Sequence, residues 1–292
     1  MNEREYAEYR LRARLPRFQH RVDTATEILL SFVKGGDCCD RDRFRAGRVI
    51  PPRGERECYI SVSWGKDSTV LLHLACSVLS AVNAISIQYG TPRGDDWSVE
   101  PCDRWPDLAE VRDKFLSKYS VNYHERFVES FWYLCERYGC CPITIDMSGG
   151  GENIGKVEKI FLKSFSAIID GEAKRHGFVG NVMGMRRDES HNRQRHFALR
   201  GHTYYNAGRG FWCCNPLYDW TGDDIWTYIV KHDLPYSELY DAPGFDRNTL
   251  RNGLMIGGGM MRYGAYVHLK RLYPDLWNVI CGKYPYLRAF AG

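Results

Sequence analysis

The sequence predicts an α/β fold, a doubly wound and mainly parallel sheet with helical extensions at both ends. Three observations carry this. Short β-rich runs alternate with amphipathic helical runs from residue 58 onward, glycine turns follow two of those runs, and no internal repeat or low-complexity tract breaks the alternation. The order strand–helix–strand–helix–strand puts a ligand at the carboxyl ends of the strands. The chain divides into an N-terminal helical and basic extension (1–57), a central domain (58–241) and a C-terminal helical extension (242–292).

In the N-terminal part, helical spacing of Phe18, Val22, Ala25, Ile28, Leu29 and Phe32 predicts a helix over 16–34 that stops at Gly35-Gly36. The loop after it holds Arg41, Arg43, Arg45, Arg48 and Arg53. These form either a polyanion-binding patch or a solvated loop balanced by Asp37, Asp40, Asp42, Glu55 and Glu57. Tyr59, Ile60 and Val62 predict the first strand, and Val70, Leu71, Leu74, Val78 and Leu79 give the next helix its apolar stripe. A second strand covers 84–89 and runs into the polar turn GTPRGDDW. A helix over 105–119, a third strand over 121–128 and a short aromatic helix at Phe131, Trp132 and Leu134 follow, and residues 138–153 read as loop. A helix over 156–174, a strand over 178–185, a last strand and turn over 211–220 and a helix starting at Thr221 complete the pattern. Thr221 and Asp224 form a start resembling a capping box.

Two turns carry the chemistry. SWGKDS, between the first strand and its helix, sets free N–H groups and the positive end of a helix dipole beyond the strand, which suits phosphate. Gly65 permits close approach, Ser63 and Ser68 add hydroxyls, and Lys66 adds a mobile charge. Asp67 is suited to capping the helix, bracing the loop or holding Mg²⁺. The plain alternative is an ordinary capped helix. GMRRDES, after the 178–185 strand, offers Gly184 and the planar forks of Arg186 and Arg187 for phosphate or sulfate oxygens. The alternative there is a surface loop neutralised by Asp188 and Glu189.

Ser-x-Gly-x-Asp-Ser at 63–68 resembles the PP-loop of the ATP pyrophosphatase superfamily, in its 3′-phosphoadenylyl sulfate (PAPS) reductase-like branch. SWGKDSTVLLHLA, GMRRDES and PLYDWT are also similar to segments of the adenylyl-sulfate reductases and of the small subunit of bacterial ATP sulfurylase. The resemblance covers roughly 58–241 and implies an adenine nucleotide alpha-hydrolase-like fold, an adenine nucleotide bound through Ser63, Trp64, Gly65, Lys66, Asp67, Ser68, Gly184, Arg186 and Arg187, and chemistry at the α-phosphate. Lys66, Arg186, Arg187 and Mg²⁺ are then the charge-neutralising groups, with ATP as the nucleotide. The chain departs from the reductases at its end: Cys281 stands in VICGKYPYLRAFAG, without the Glu-Cys-Gly-x-His tail that supplies their catalytic thiol, and reads as a packing residue. Asp219, in PLYDWT, is a lesser candidate.

Among 292 residues, 44% hydrophobic and 26% charged with a net charge of +4, there is no apolar run of about 18 residues and no signal-peptide core, so a cytoplasmic protein with no membrane partner is expected. Its 11 cysteines do not read as a secreted disulfide framework. Three Cys-Cys pairs, Cys38-Cys39, Cys140-Cys141 and Cys213-Cys214, with Cys135 nearby, raise a [4Fe–4S] cluster, for which Cys140, Cys141, Cys213 and Cys214 are the candidate ligands. Cys140-Cys141 lies broadly where assimilatory adenylyl-sulfate reductases keep their first pair, but Cys213-Cys214 precedes the Asp-Trp-Thr segment and no Cys-x-x-Cys exists. Buried free thiols are the alternative. The expected reading is an ATP pyrophosphatase or adenylyltransferase. A sulfonucleotide reductase and a non-catalytic nucleotide-gated nucleic-acid-binding module are the alternatives. A nucleic acid or protein is the candidate acceptor, and a homo-oligomer is allowed.

Overall fold

A computed structural model describes residues 1–36, 50–99, 105–139, 151–242, 246–248, 250, 269–283 and 285–290. The helices are α1 (Glu3–Arg12), α2 (Pro16–Val33), α3 (Lys66–Val78), α4 (Leu108–Leu116), α5 (Phe131–Arg137), α6 (Gly151–Arg175), α7 (His191–Arg200), α8 (Gly222–His232) and α9 (Pro274–Lys283). The strands are β1 (Cys58–Val62), β2 (Asn83–Arg93), β3 (Asp96–Ser98), β4 (Asn122–Glu129), β5 (Gly180–Val182), β6 (Thr203–Asn206) and β7 (Phe211–Cys214).

Strands β4, β2, β1, β5 and β7 lie side by side in that order, all parallel. β6 closes one edge antiparallel to β7, and β3 turns back on the far end of β2. Alternation along the strands sends successive side chains to opposite faces. Ile60, Val62 and Ala84 enter a core with α2, α3, α4 and α8, while Tyr59, Ile85 and Val128 enter another with α5 and α6. Helices therefore cover both faces, as a doubly wound sheet requires. From β1 the chain runs to β2 on one side, and β5 enters on the other. The crevice beyond β1 and β5 is the topological switch point, where open α/β sheets bind ligands.

Local chemistry accounts for the elements that matter. Pro16 opens α2, whose Phe18, Ala25, Ile28, Leu29 and Phe32 are buried in the same core as the sheet, along with Tyr9 of α1. α3 is apolar almost all round and packs between the sheet, α2 and α8. Thr221 and Asp224 do form the capping box: Asp224 N–H donates to Thr221 Oγ1 at 3.2 Å and Thr221 N–H to Asp224 Oδ2 at 2.8 Å.

Several elements differ from the sequence reading. The turn expected at 90–97 is a β-hairpin, closed by Trp97 stacking on Phe127 at 5.5 Å. The strand expected over 178–185 keeps only Gly180–Val182, and the single last strand is half of a β6–β7 hairpin. Residues 191–200, to which the sequence reading assigned no element, form α7 with Ser190 as its cap. α6 starts at Gly151, so the loop expected through 153 ends earlier. Most of 243–268, the Arg41–Arg48 run, Cys140 and Cys141 lie outside the described residues. No described helix is long and apolar enough to cross a membrane.

Candidate functional site

A cavity of about 340 Å³ opens at the switch point, lined by Ser63, Gly65, Lys66, Asp67 and Ser68 from the first turn and by Gly184 and Met185 from the turn after β5. One wall is apolar, with Ile85, Ile87 and Tyr89 of β2 and Phe165 and Ile169 of α6, and the charged side chains Glu189 and Arg193 also line the cavity.

The first turn is built to expose amides. Trp64 takes a left-handed φ of 60°, a conformation unusual for a bulky residue, and its buried indole holds it there by donating to the Tyr123 hydroxyl at 3.2 Å and packing on Phe115. Gly65 caps α3, and Thr69 N–H, bonded to the Gly65 carbonyl at 3.0 Å, is the first intrahelical donor. Ahead of it, Asp67 and Ser68 contribute first-turn N–H groups that a helix cannot satisfy internally. Ser68 Oγ bonds the Gly65 carbonyl at 3.1 Å and accepts from Ser63 N–H at 3.2 Å, which fixes the turn's curvature. Gly184 lies against this turn: a Cβ there would stand 3.0 Å from the Asp67 carbonyl oxygen and 3.3 Å from Ser68 N. Only glycine lets the two turns meet without a shift.

Lys66 is 3% exposed; its Nζ donates to the Leu250 carbonyl at 3.0 Å, sits 3.4 Å from Asp67 and stands over the Tyr240 ring. Burial pushes its pKa below the ordinary lysine value, with Asp67 opposing and Arg186 reinforcing the shift. Tyr240, whose hydroxyl accepts from Lys66 N–H at 3.4 Å, also lines the cavity.

The paired arginines are placed differently from the expectation that both face phosphate. Arg186 is 2% exposed; its Nε donates to Asp67 at 2.5 Å, its Nη1 to Asp188, and it reaches the Trp220 carbonyl at 3.4 Å. Burial works against its charge, but Asp67 and Asp188 outweigh that and hold its pKa above the ordinary value. Arg187 is exposed and paired with Asp219 at 2.5 Å, while Asp219 also approaches Arg21 of α2. Neither arginine lines the cavity. Asp188 Oδ2 accepts from Gly222 N–H at 3.0 Å, so this second turn is locked to the start of α8. A guanidinium that does line the cavity is Arg193 of α7, 3.5 Å from Glu189, with a buried Nη1 that has no hydrogen-bond partner among the described residues. Arg193 lies beyond the GMRRDES motif, in a stretch with no assigned element; its offset of three from the Ser190 cap was the available signal.

The structure bears on two metal expectations. Asp67, the candidate Mg²⁺ ligand, has Arg186 at one carboxylate oxygen and Lys66 at the other. Cys213 and Cys214 are neighbours within β7, so their thiols leave opposite faces of the sheet; Cys214 enters the α3-side core, while Cys213 bonds the Phe211 carbonyl. One iron centre cannot take both. Burial pushes the Cys213 thiol up to about 12. Cys281 is 1% exposed within the core and burial raises its pKa, in keeping with the expected packing role.

The phosphoadenosine phosphosulfate reductase domain family matches residues 151–250, a span that holds the second turn, α7 and α8. An uncharacterized protein of Methanocaldococcus jannaschii is 28% identical over 223 residues, 75% of this chain and 45% of that protein. The adenosine 5'-phosphosulfate reductase of Bacillus mycoides is 26% identical over 219 residues, 72% of this chain and 79% of that enzyme. The chain thus spans about half the length of the archaeal relative, and 42% of the adenosine 5'-phosphosulfate reductase of Geobacillus thermodenitrificans. Among solved structures, the PAPS reductase of Candida auris in its phosphate complex is 17% identical, covering 76% of this chain and 91% of that one with a TM-score of 0.45.

Proposed function

The chain belongs to the PAPS reductase-like PP-loop family, and from that premise we propose that it binds ATP or a related adenine nucleotide in the switch-point cavity and cleaves or transfers at the α-phosphate. The observation that carries the proposal is the meeting of a helix N-terminus, Lys66 and Arg193 with an apolar wall in one cavity. The amides of Asp67 and Ser68 and the hydroxyls of Ser63 and Ser68 receive phosphate oxygens, while Ile85, Ile87 and Phe165 take the base. An acceptor atom bonds to the α-phosphorus, the bond from that phosphorus to the bridging oxygen breaks, and pyrophosphate departs with the bond's electron pair. Lys66 and Arg193 stabilise the charge that builds as the bridge opens. Arg186 is a positioning residue, holding Asp67 and therefore the turn. A Mg²⁺ ion arriving with the nucleotide would draw its ligands from phosphates and water, since Asp67 is engaged by cations.

Sulfonucleotide reduction, the activity named for several relatives, needs a thiol at the cavity. Among the described cysteines none lines it, and Cys281 is buried in the core on the α3 side of the sheet. Adenylyl transfer is therefore the better reading. α7 leads from Arg193 in the cavity to exposed Arg195 and Arg200 without an acidic residue, which suits a polyanionic acceptor such as nucleic acid. Calorimetric titration with ATP, AMP and adenylyl sulfate, followed by a pyrophosphate-release assay with ATP and candidate acceptors, tests the proposal. Adenine nucleotides are expected to bind and ATP to yield pyrophosphate once the acceptor is present; a protein that binds no adenine nucleotide would reject it.

A further inference from the structure

At the opposite end of the sheet from the cavity, three groups of metal-binding type come together. His124 lies on the β4 face that α6 covers, since it shares the two-residue period of Val128 in that core. Glu172 near the end of α6 and His176 just beyond it are four residues apart, on one side of the helical path. The donor atoms of all three lie within 4.8 Å of one another. His176 Nε2 stands 3.0 Å from Glu172 Oε1, and His124 Nδ1 is 3.8 Å from that same oxygen. Ligand atoms around a tetrahedral zinc ion with bonds of about 2.0–2.2 Å sit about 3.3–3.5 Å apart, a value those two spacings bracket.

The imidazole of His124 is the telling group. It is mostly buried and stacks against His176 at 4.0 Å, yet its Nδ1 is beyond hydrogen-bond distance of Glu172 and its Nε2 is buried with no partner among the described residues. A buried ring nitrogen without a hydrogen bond calls for an explanation. Glu172, 2% exposed, is already oriented: its Oε2 accepts from Arg126 Nε at 2.8 Å and faces Arg175 at 3.3 Å. Bonds of that kind to the far oxygen hold a ligating carboxylate in place. Arg126 Nη2, 2.7 Å from Oε1, belongs to a side chain 39% exposed and can give that oxygen up. The neighbouring cleft, lined by His176, Asn83 and Asn122, gives an entry path from the His176 side.

We propose that His124, Glu172 and His176 bind a divalent ion of the zinc class, two imidazole nitrogens and one carboxylate oxygen with a fourth position open to water. Binding replaces the His176–Glu172 hydrogen bond, and the Nε2 proton leaves to solvent. The ion clamps the end of α6 to β4, and α6 carries Phe165 and Ile169, part of the cavity wall. The site is independent of the proposed nucleotide chemistry.

Cobalt titration of the chelator-treated full chain, monitored by visible absorption, tests this against His124→Ala and His176→Ala. The wild type is expected to bind one more equivalent than either variant, and that equivalent's d–d bands appear without the near-ultraviolet thiolate charge transfer that cysteine ligation would add. Zinc is expected to raise the melting temperature of the wild type by several degrees and to leave both variants unmoved, with metal-free circular dichroism alike in all three. Equal cobalt equivalents in the three proteins, or the same zinc-dependent rise in melting temperature, would overturn the site.

Discussion

Replacing Arg186 separates a structural arginine from a phosphate fork. Its side chain is 2% exposed and satisfies Asp67 directly and Asp188 on its other side. Removing one partner of a buried ion pair costs about 3–5 kcal/mol, because the other charge is left uncompensated. Asp67 keeps Lys66 at 3.4 Å and Asp188 is 39% exposed, so Arg186→Leu should fall at the low end, about 3 kcal/mol. At roughly 2–4 °C per kcal/mol for a chain of this size class, the melting temperature drops by roughly 6–12 °C. Urea unfolding of wild type, Arg186→Leu, Asp67→Asn and the double variant measures it. Coupling between the two sites should be large, so that the double variant costs less than the sum of the singles. An Arg186→Leu protein with unchanged stability that loses only nucleotide affinity would refute this reasoning and restore the arginine as a phosphate ligand.

Arg193→Ala should do the reverse, weakening ATP binding about 10- to 100-fold, the value of a charge-assisted hydrogen bond, with stability nearly unchanged; calorimetry and melting curves check both. Burial and the nearby His232 hold His73 down to about 4, while its Nδ1 pairs with the Tyr228 hydroxyl at 2.9 Å. The unfolded chain takes up that proton below about pH 6.5 and the folded protein only below about 4, so stability is full above 6.5 and falls by about 3 kcal/mol as pH drops through this window. His73→Gln should flatten the drop in denaturant titrations across that range. Cys281→Ser, which sets a hydroxyl in the core, should lower stability by about 1–3 kcal/mol and leave pyrophosphate release intact; loss of turnover in a protein of normal stability would point to thiol chemistry.

Much of this was legible in the sequence because the informative features are local. SWGKDS between an apolar run and a helical stripe fixes a strand, a turn and a helix N-terminus by spacing alone, and Thr221 with Asp224 announces its helix through the capping box. What the sequence hid depends on tertiary pairing. Arg186 and Arg187 are indistinguishable in the string, yet one turns inward to Asp67 and the other outward to Asp219, which only the meeting of the two turns at Gly184 decides. Cys213 and Cys214 looked like a chelating pair until their place inside β7 put them on opposite faces. The short strands β3 and β6 carry too few residues to show a period, and α7 offers Phe197 as its one buried residue, so its helical pattern is faint. His124, Glu172 and His176 gave no motif because the sheet brings a strand to a helix end about fifty residues away along the chain.

The central claim is that the turn after β1 and Arg193 form a phosphate socket at the switch point. A crystal structure of the protein with α,β-methylene ATP tests it most directly. Phosphate oxygens are expected within hydrogen-bond distance of the Asp67 and Ser68 amides and of Arg193, with the base against Ile87 and Phe165 and the Arg186–Asp67 pair intact. A nucleotide bound away from Gly65 and Gly184, or phosphates held by Arg186 after release of Asp67, would contradict it.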